Sequence, residues 1–89
     1  MSNLEIEKVL VVSTACVTRE TAASIAIGAA WAPQWSRPEG WMFHVDTTLG
    51  RKPPAELNKA LKLAKREGCA WLLLDADGPA VAELDEYEW

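Results

Sequence analysis

The stretch Cys69-Ala70-Trp71-Leu72-Leu73-Leu74-Asp75-Ala76-Asp77-Gly78-Pro79 decides the fold. Trp71 to Leu74 are four large apolar residues in succession, which leaves no polar face for water. Such a run reads as a strand buried on both sides, the kind found in parallel sheets. Asp75 and Asp77 stand where the chain leaves the apolar layer, and Gly78-Pro79 forces a turn. Open α/β sheets place their ligands at such carboxyl ends. That gives a location and no chemistry.

Working outward, Ile6 to Ser13 holds the β-branched run Val9–Val12 and reads as a second central strand. Thr18 is a good N-cap with Glu20 in the first turn, so a helix is expected over residues 19–30. At 100° per residue Ala22, Ile25, Ala26 and Ala29 face the sheet, while Ile27 and Trp31 fall on the far side. The segment Trp31 to Trp41 is rich in proline, glycine and serine and reads as a loop, yet it carries three indoles. Trp41 to Asp46 alternates like an edge strand, Pro53-Pro54 opens a second helix with the stripe Leu57, Ala60, Leu61 and Ala64, and Gly68 ends it. The tail, with Tyr87 and Trp89 on one side, reads as a short last strand.

The expected fold is therefore one small α/β domain over residues 1–89, in the order β-α-β-α-β-β. Its sheet is mainly parallel and four-stranded, in the spatial order 2-1-3-4, with an antiparallel C-terminal edge strand and one helix on each face. The rival packing sets both helices on one face and leaves half of each apolar strand wet unless a second subunit covers it.

Eighty-nine residues suffice for one core only. The apolar share of 49% and charged share of 25% are those of a soluble globule. No run approaches the roughly 20 apolar residues of a membrane span, and the N-terminus lacks the pattern of a signal peptide, so the expected setting is the cytosol with no membrane partner. Cys16 and Cys69 then read as free thiols, at opposite ends of parallel strands and roughly 15–20 Å apart. The net charge of −4 argues against broad nucleic-acid binding. It is unevenly spread, with a basic stretch from Arg51 to Arg66 and an acidic one from Asp75 onward.

In the expected strand order Ser13 and Thr14 face Asp75 and Asp77, with Asp46 next door. Carboxylates among hydroxyls suit Mg²⁺, which takes hard oxygen ligands. The run L-L-L-D-A-D-G-P resembles the first motif of haloacid-dehalogenase-type phosphatases and the Asp-x-Asp motif of nucleotide-sugar glycosyltransferases. Only ten residues follow it, too few for either family's remaining parts, so no catalytic residue is assigned. His44 shares a strand face with Asp46, which could orient an imidazole. Cys16 precedes a helix N-terminus, where a thiol pKa can fall. No cluster of Cys and His, phosphate-binding glycine loop or G-x-S-x-G accompanies them.

The motifs V-V-S-T-A-C-V-T-R-E-T-A, G-W-M-F-H-V-D and W-L-L-L-D-A-D-G-P, closed by Y-E-W, resemble a family of short uncharacterised bacterial proteins often carried near phage or plasmid genes. The resemblance implies a self-sufficient domain and brings no assigned activity, cofactor or site residue. Many members carry histidine where this chain has Cys16, so a role resting on that imidazole does not transfer.

Three functions follow as expectations. The first is a cytosolic accessory protein of a mobile element that acts through protein contacts, with another protein or as a homodimer, using Ile27, Trp31, Trp35 and Arg37. The second is a Mg²⁺-dependent site at Asp46, Asp75 and Asp77 acting on a phosphorylated ligand. The third is an inhibitor that sets the acidic tail against the basic groove of a host nuclease.

Overall fold

The computed structural model describes residues 4–26, 34–38, 40–46 and 53–87, and of residues 34–37 the backbone alone. Strand β1 (Val9–Ser13) leads through a 3-10 turn (Thr14–Cys16) into helix α1 (Arg19–Ala26). Strands β2 (Gln34–Arg37) and β3 (Gly40–His44) form a hairpin, and helix α2 (Ala55–Arg66) precedes β4 (Trp71–Asp75).

The two wholly apolar strands are neighbours and run parallel, with Val9 opposite Trp71 and Ser13 opposite Asp75. The rest of the sheet corrects the expectation. Its order is β1-β4-β3-β2, β3 is antiparallel to β4, and β2 is antiparallel to β3. The sheet is thus mixed, with a single parallel pair, and of the two apolar strands expected inside it only β4 is there, while β1 lies at an edge. The cause sits in the tryptophan segment read as loop: Gln34–Arg37 is a strand, and Arg37 pairs with Gly40 across two positions only. That tight reversal, which begins at Pro38, turns the chain once more than a β-α-β count allows. Among the described residues no strand follows β4, so the expected C-terminal edge strand is absent from 76–87; Trp89 lies outside the described residues.

Side chains alternate across a strand, which sorts the sheet into two faces. Val12, Leu72, Leu74 and Phe43 are fully buried and form one cluster with Ala22 and Ile25 of α1 and Leu57, Ala60, Leu61, Leu63 and Ala64 of α2. Both helices therefore cover the same face, as in the rival packing. The other face carries the row Val9–Trp71–His44 and the row Val11–Leu73–Met42, with Trp35 in register beside Met42. Val9 and Val11 are exposed there, and the other described members of the rows are half-buried.

Helix α2 follows its sequence closely. The expected stripe is buried, Lys65 and Arg66 fill the last turn, and Gly68 adopts φ +77° just past the end, a conformation that favours glycine. In α1, Thr18 caps as expected, its Oγ1 accepting from the Thr21 backbone N–H at 3.2 Å. The buried face is shifted, however: Thr21, Ala22 and Ile25 point inward and Ala26 is exposed, while residues 27–30 lie outside the described residues. The shift has a polar cause, described next.

Candidate functional site

The rim where β1 and β4 end brings Ser13, Thr14 and Asp75 together as expected, with Asp77 two residues on. The side chains of Ser13 and Asp75 serve the backbone. Ser13 Oγ accepts from the Ala15 N–H at 3.1 Å and so starts the 3-10 turn. Asp75 Oδ1 accepts from the Asp77 N–H at 2.8 Å, and the Gly78 N–H closes the turn on the Asp75 carbonyl at 2.9 Å. Gly78 is needed for space: a Cβ there would come within 2.7 Å of the Val12 carbonyl oxygen.

Asp46 does not join this group. Because β3 runs antiparallel to β4, the residues past His44 leave at the far rim, and the Asp46 carboxylate pairs with Lys65 at 3.1 Å. Among the described residues no group of three His, Cys, Asp or Glu side chains could hold a metal ion. His44 also looks elsewhere: its ring meets Trp71 edge-on at 4.8 Å, and its Nδ1 accepts from the Asp46 N–H at 3.4 Å.

The chain's own tail closes the crevice at the β1–β4 rim. The Pro79 carbonyl accepts from the Ser13 N–H at 2.9 Å, the Ala15 carbonyl accepts from the Tyr87 N–H at 2.8 Å, and Leu84 is buried in the core. What remains between Val12, Ser13, Cys16, Pro79 and Leu84 is about 10 Å³, room for one water molecule. The tail also answers the uneven charge. Asp85 pairs with Lys59 at 3.8 Å and Glu83 with Arg66 at 3.3 Å, so two of its acids already meet the basic helix α2.

Beside the rim, the first turns of both helices meet at Glu56. Its Oε1 accepts from the Thr21 hydroxyl and lies 3.4 Å from Thr18 Oγ1. Desolvation raises the Glu56 pKa, but hydrogen bonds from the Thr21 and Thr18 hydroxyls and from backbone N–H groups outweigh it and hold the carboxyl below its ordinary value. This cluster turns Thr21 inward on α1. The sequence hinted at it only as a cap and a first-turn acid 38 residues apart. Next to it, burial pushes the Cys16 thiol up to about 11, against a favourable backbone hydrogen bond and with help from the Glu56 charge. The helix N-terminus does not activate this thiol. Cys16 and Cys69 are both buried and free.

Of the expected partner surface, Ile27 and Trp31 lie outside the described residues. Trp35 and Arg37 stand on β2, in register with Met42 and Gly40. A different segment stands out. Among the described residues the exposed large apolar side chains are Leu4 (74%), Ile6 (80%), Val9 (39%) and Val11 (36%), all within eight residues that end in β1 at the edge of the sheet. Two neighbours of these residues are tied back: Glu7 Oε1 accepts from Trp71 Nε1 at 3.0 Å, and Lys8 Nζ donates to the Glu67 carbonyl at 2.9 Å. The segment is thus tied to the rest of the domain at Glu7 and Lys8 while its apolar groups stay exposed.

A mixed sheet with both helices on one face and an exposed apolar segment at its edge defines a small α/β domain. The chain belongs to the family described as "Family of unknown function (DUF5983) C-terminal domain", which residues 9–89 match. No curated protein and no solved structure matches it. Among the described residues no helix is long and apolar enough to cross a membrane.

Proposed function

We propose that this domain works by binding protein, through the edge segment Leu4–Val11 and the helix-free side of the sheet next to it. One observation carries the reading: among the described residues, the exposed large apolar side chains fall in the single segment Leu4–Val11, which runs into an edge strand. Natural sheets protect such edges with proline, bulges or covering elements, and a monomer that leaves one open risks aggregation. An accessory role near a phage or plasmid, in the cytosol, belongs to the same proposal and rests on the sequence resemblance. The metal reading loses support because Asp46 stands at the far rim, and the nuclease-inhibitor reading because Glu83 and Asp85 are engaged with α2.

Position-specific photo-cross-linking tests it. A photoreactive residue placed at Ile6 or Val9 of the full chain, in cells, should give protein adducts that the same residue at the exposed Lys62 does not. Equal yields at all three positions, or none at the edge, would overturn the reading.

A further inference from the structure

The hydrogen-bond phase of β1 shows what kind of partner fits. The Lys8 carbonyl accepts from the Trp71 N–H at 3.2 Å, so in the parallel ladder Leu10 and Val12 turn their backbone groups toward β4. Val9, Val11 and Ser13 turn theirs outward. The outward N–H of Ser13 is taken by the Pro79 carbonyl at 2.9 Å, while Val9 and Val11 face the side of β1 that no strand of the sheet occupies. Backbone donors and acceptors in strand spacing call for another strand.

We infer that the occupant is the same segment of a second copy of this chain, paired antiparallel along Glu5–Val11 so that one sheet runs across a two-fold axis. The inference rests on the protein-binding reading above and names its partner. Pro79 blocks the edge at Ser13, so an incoming strand must end opposite Val11. A two-fold pairing that fills the edge up to that stop centres on Lys8, with Glu5 opposite Val11 and Glu7 opposite Val9. The pairing brings Ile6 beside Leu10 of the second copy and so covers the most exposed large apolar side chain among the described residues, while Leu4 lies just past the stop. An unrelated strand could satisfy Val9 and Val11, but covering Ile6 as well needs an apolar residue at the facing position and an end opposite Val11. This chain's own segment has both. The opposing term is the meeting of two Lys8 residues at the axis. It is reduced because each ammonium is drawn to its own Glu67 carbonyl.

Sedimentation of the purified full chain at tens of micromolar should give twice the chain mass of 9.8 kDa. Val11→Pro removes an outward N–H and no ladder bond, a place where edge strands accept proline. It should weaken the pairing by more than about tenfold and return the mass to one chain, with the far-ultraviolet circular dichroism of the parent. Should Val11→Pro fail to fold, the double variant Leu4→Ser/Ile6→Ser, which lies before the sheet, reads the same loss. A chain that stays single up to about 100 μM, or a pair that neither variant weakens, overturns the inference. Edge adducts to a different protein from a chain that is single when purified would sink self-pairing alone. A single chain without edge adducts would sink the protein-binding reading too.

Discussion

One strand meets two fates along its length. At its C-terminal end β1 is enclosed: Pro79 bonds Ser13, Leu84 fills the core beside Val12 and Cys16, and Tyr87 is tied to Ala15. From Val11 back to Leu4 the same strand and its extension are uncovered. Apolar content does not explain the contrast, since both parts carry large aliphatic side chains. The position of the tail explains it. The chain after β4 crosses the rim, where open sheets bind small molecules, and leaves the edge, where sheets bind strands.

The largest expected effect tests the closed end. Leu84→Ala should cost about 2–5 kcal/mol in urea unfolding, because the side chain is buried and the crevice beside it is already narrow. The same variant should expose Cys16. In the parent protein, with that thiol at about 11, alkylation at pH 8 should run about a hundredfold slower than for an ordinary thiol, and the variant should recover much of that rate.

Next comes Glu56, which joins the two helices beside the rim. Glu56→Ala leaves the Thr21 hydroxyl without its acceptor and should cost about 1–3 kcal/mol. Because the folded-state pKa lies below the ordinary value of 4.5, the stabilisation is complete above that value and is lost as pH falls through the folded pKa. Urea midpoints between pH 6 and pH 3 should fall less for Glu56→Gln than for the parent, and equal slopes would show that Glu56 does not carry the acid limb.

Smaller effects belong to the exposed parts. Lys59 and Asp85 are both more than half exposed, so a double-mutant cycle on the pair should return below about 1 kcal/mol and vanish at 1 M salt. Smallest of all, Ile6→Ser at concentrations too low for association should change unfolding stability by no more than about 0.5 kcal/mol. A larger loss would mean that Ile6 supports the fold rather than a partner, and the contrast along β1 would fail.

The legible parts of the sequence were those whose signal is local. Val9–Val12 and Trp71–Leu74 declared themselves as neighbouring parallel strands, and Leu57, Ala60, Leu61, Ala64 and Gly68 marked α2 and its end. The hairpin was hidden because Gln34–Arg37 is short and lies among prolines and indoles that read as loop. Missing it reversed β3 and moved Asp46 to the far rim. The pairing of Glu56 with Thr18 and Thr21 depends on how two helices dock, which no local pattern encodes. The filled crevice depends likewise on Leu84, whose burial nothing in the surrounding acidic tail announces.

The position of β4 has a consequence for how the protein is made. The strand that both β1 and β3 lean on is the last of the four to leave the ribosome, so β1 must wait without a strand partner while β2 and β3 can already form their hairpin. Closing the sheet then needs contacts spanning some sixty residues, between Val9 and Trp71 for instance, and chains that depend on such distant contacts fold slowly. During that interval Val9–Val12 is a naked, β-prone run on a nascent chain, and its encounters with chaperones or with other nascent copies come before the native fold can shield it.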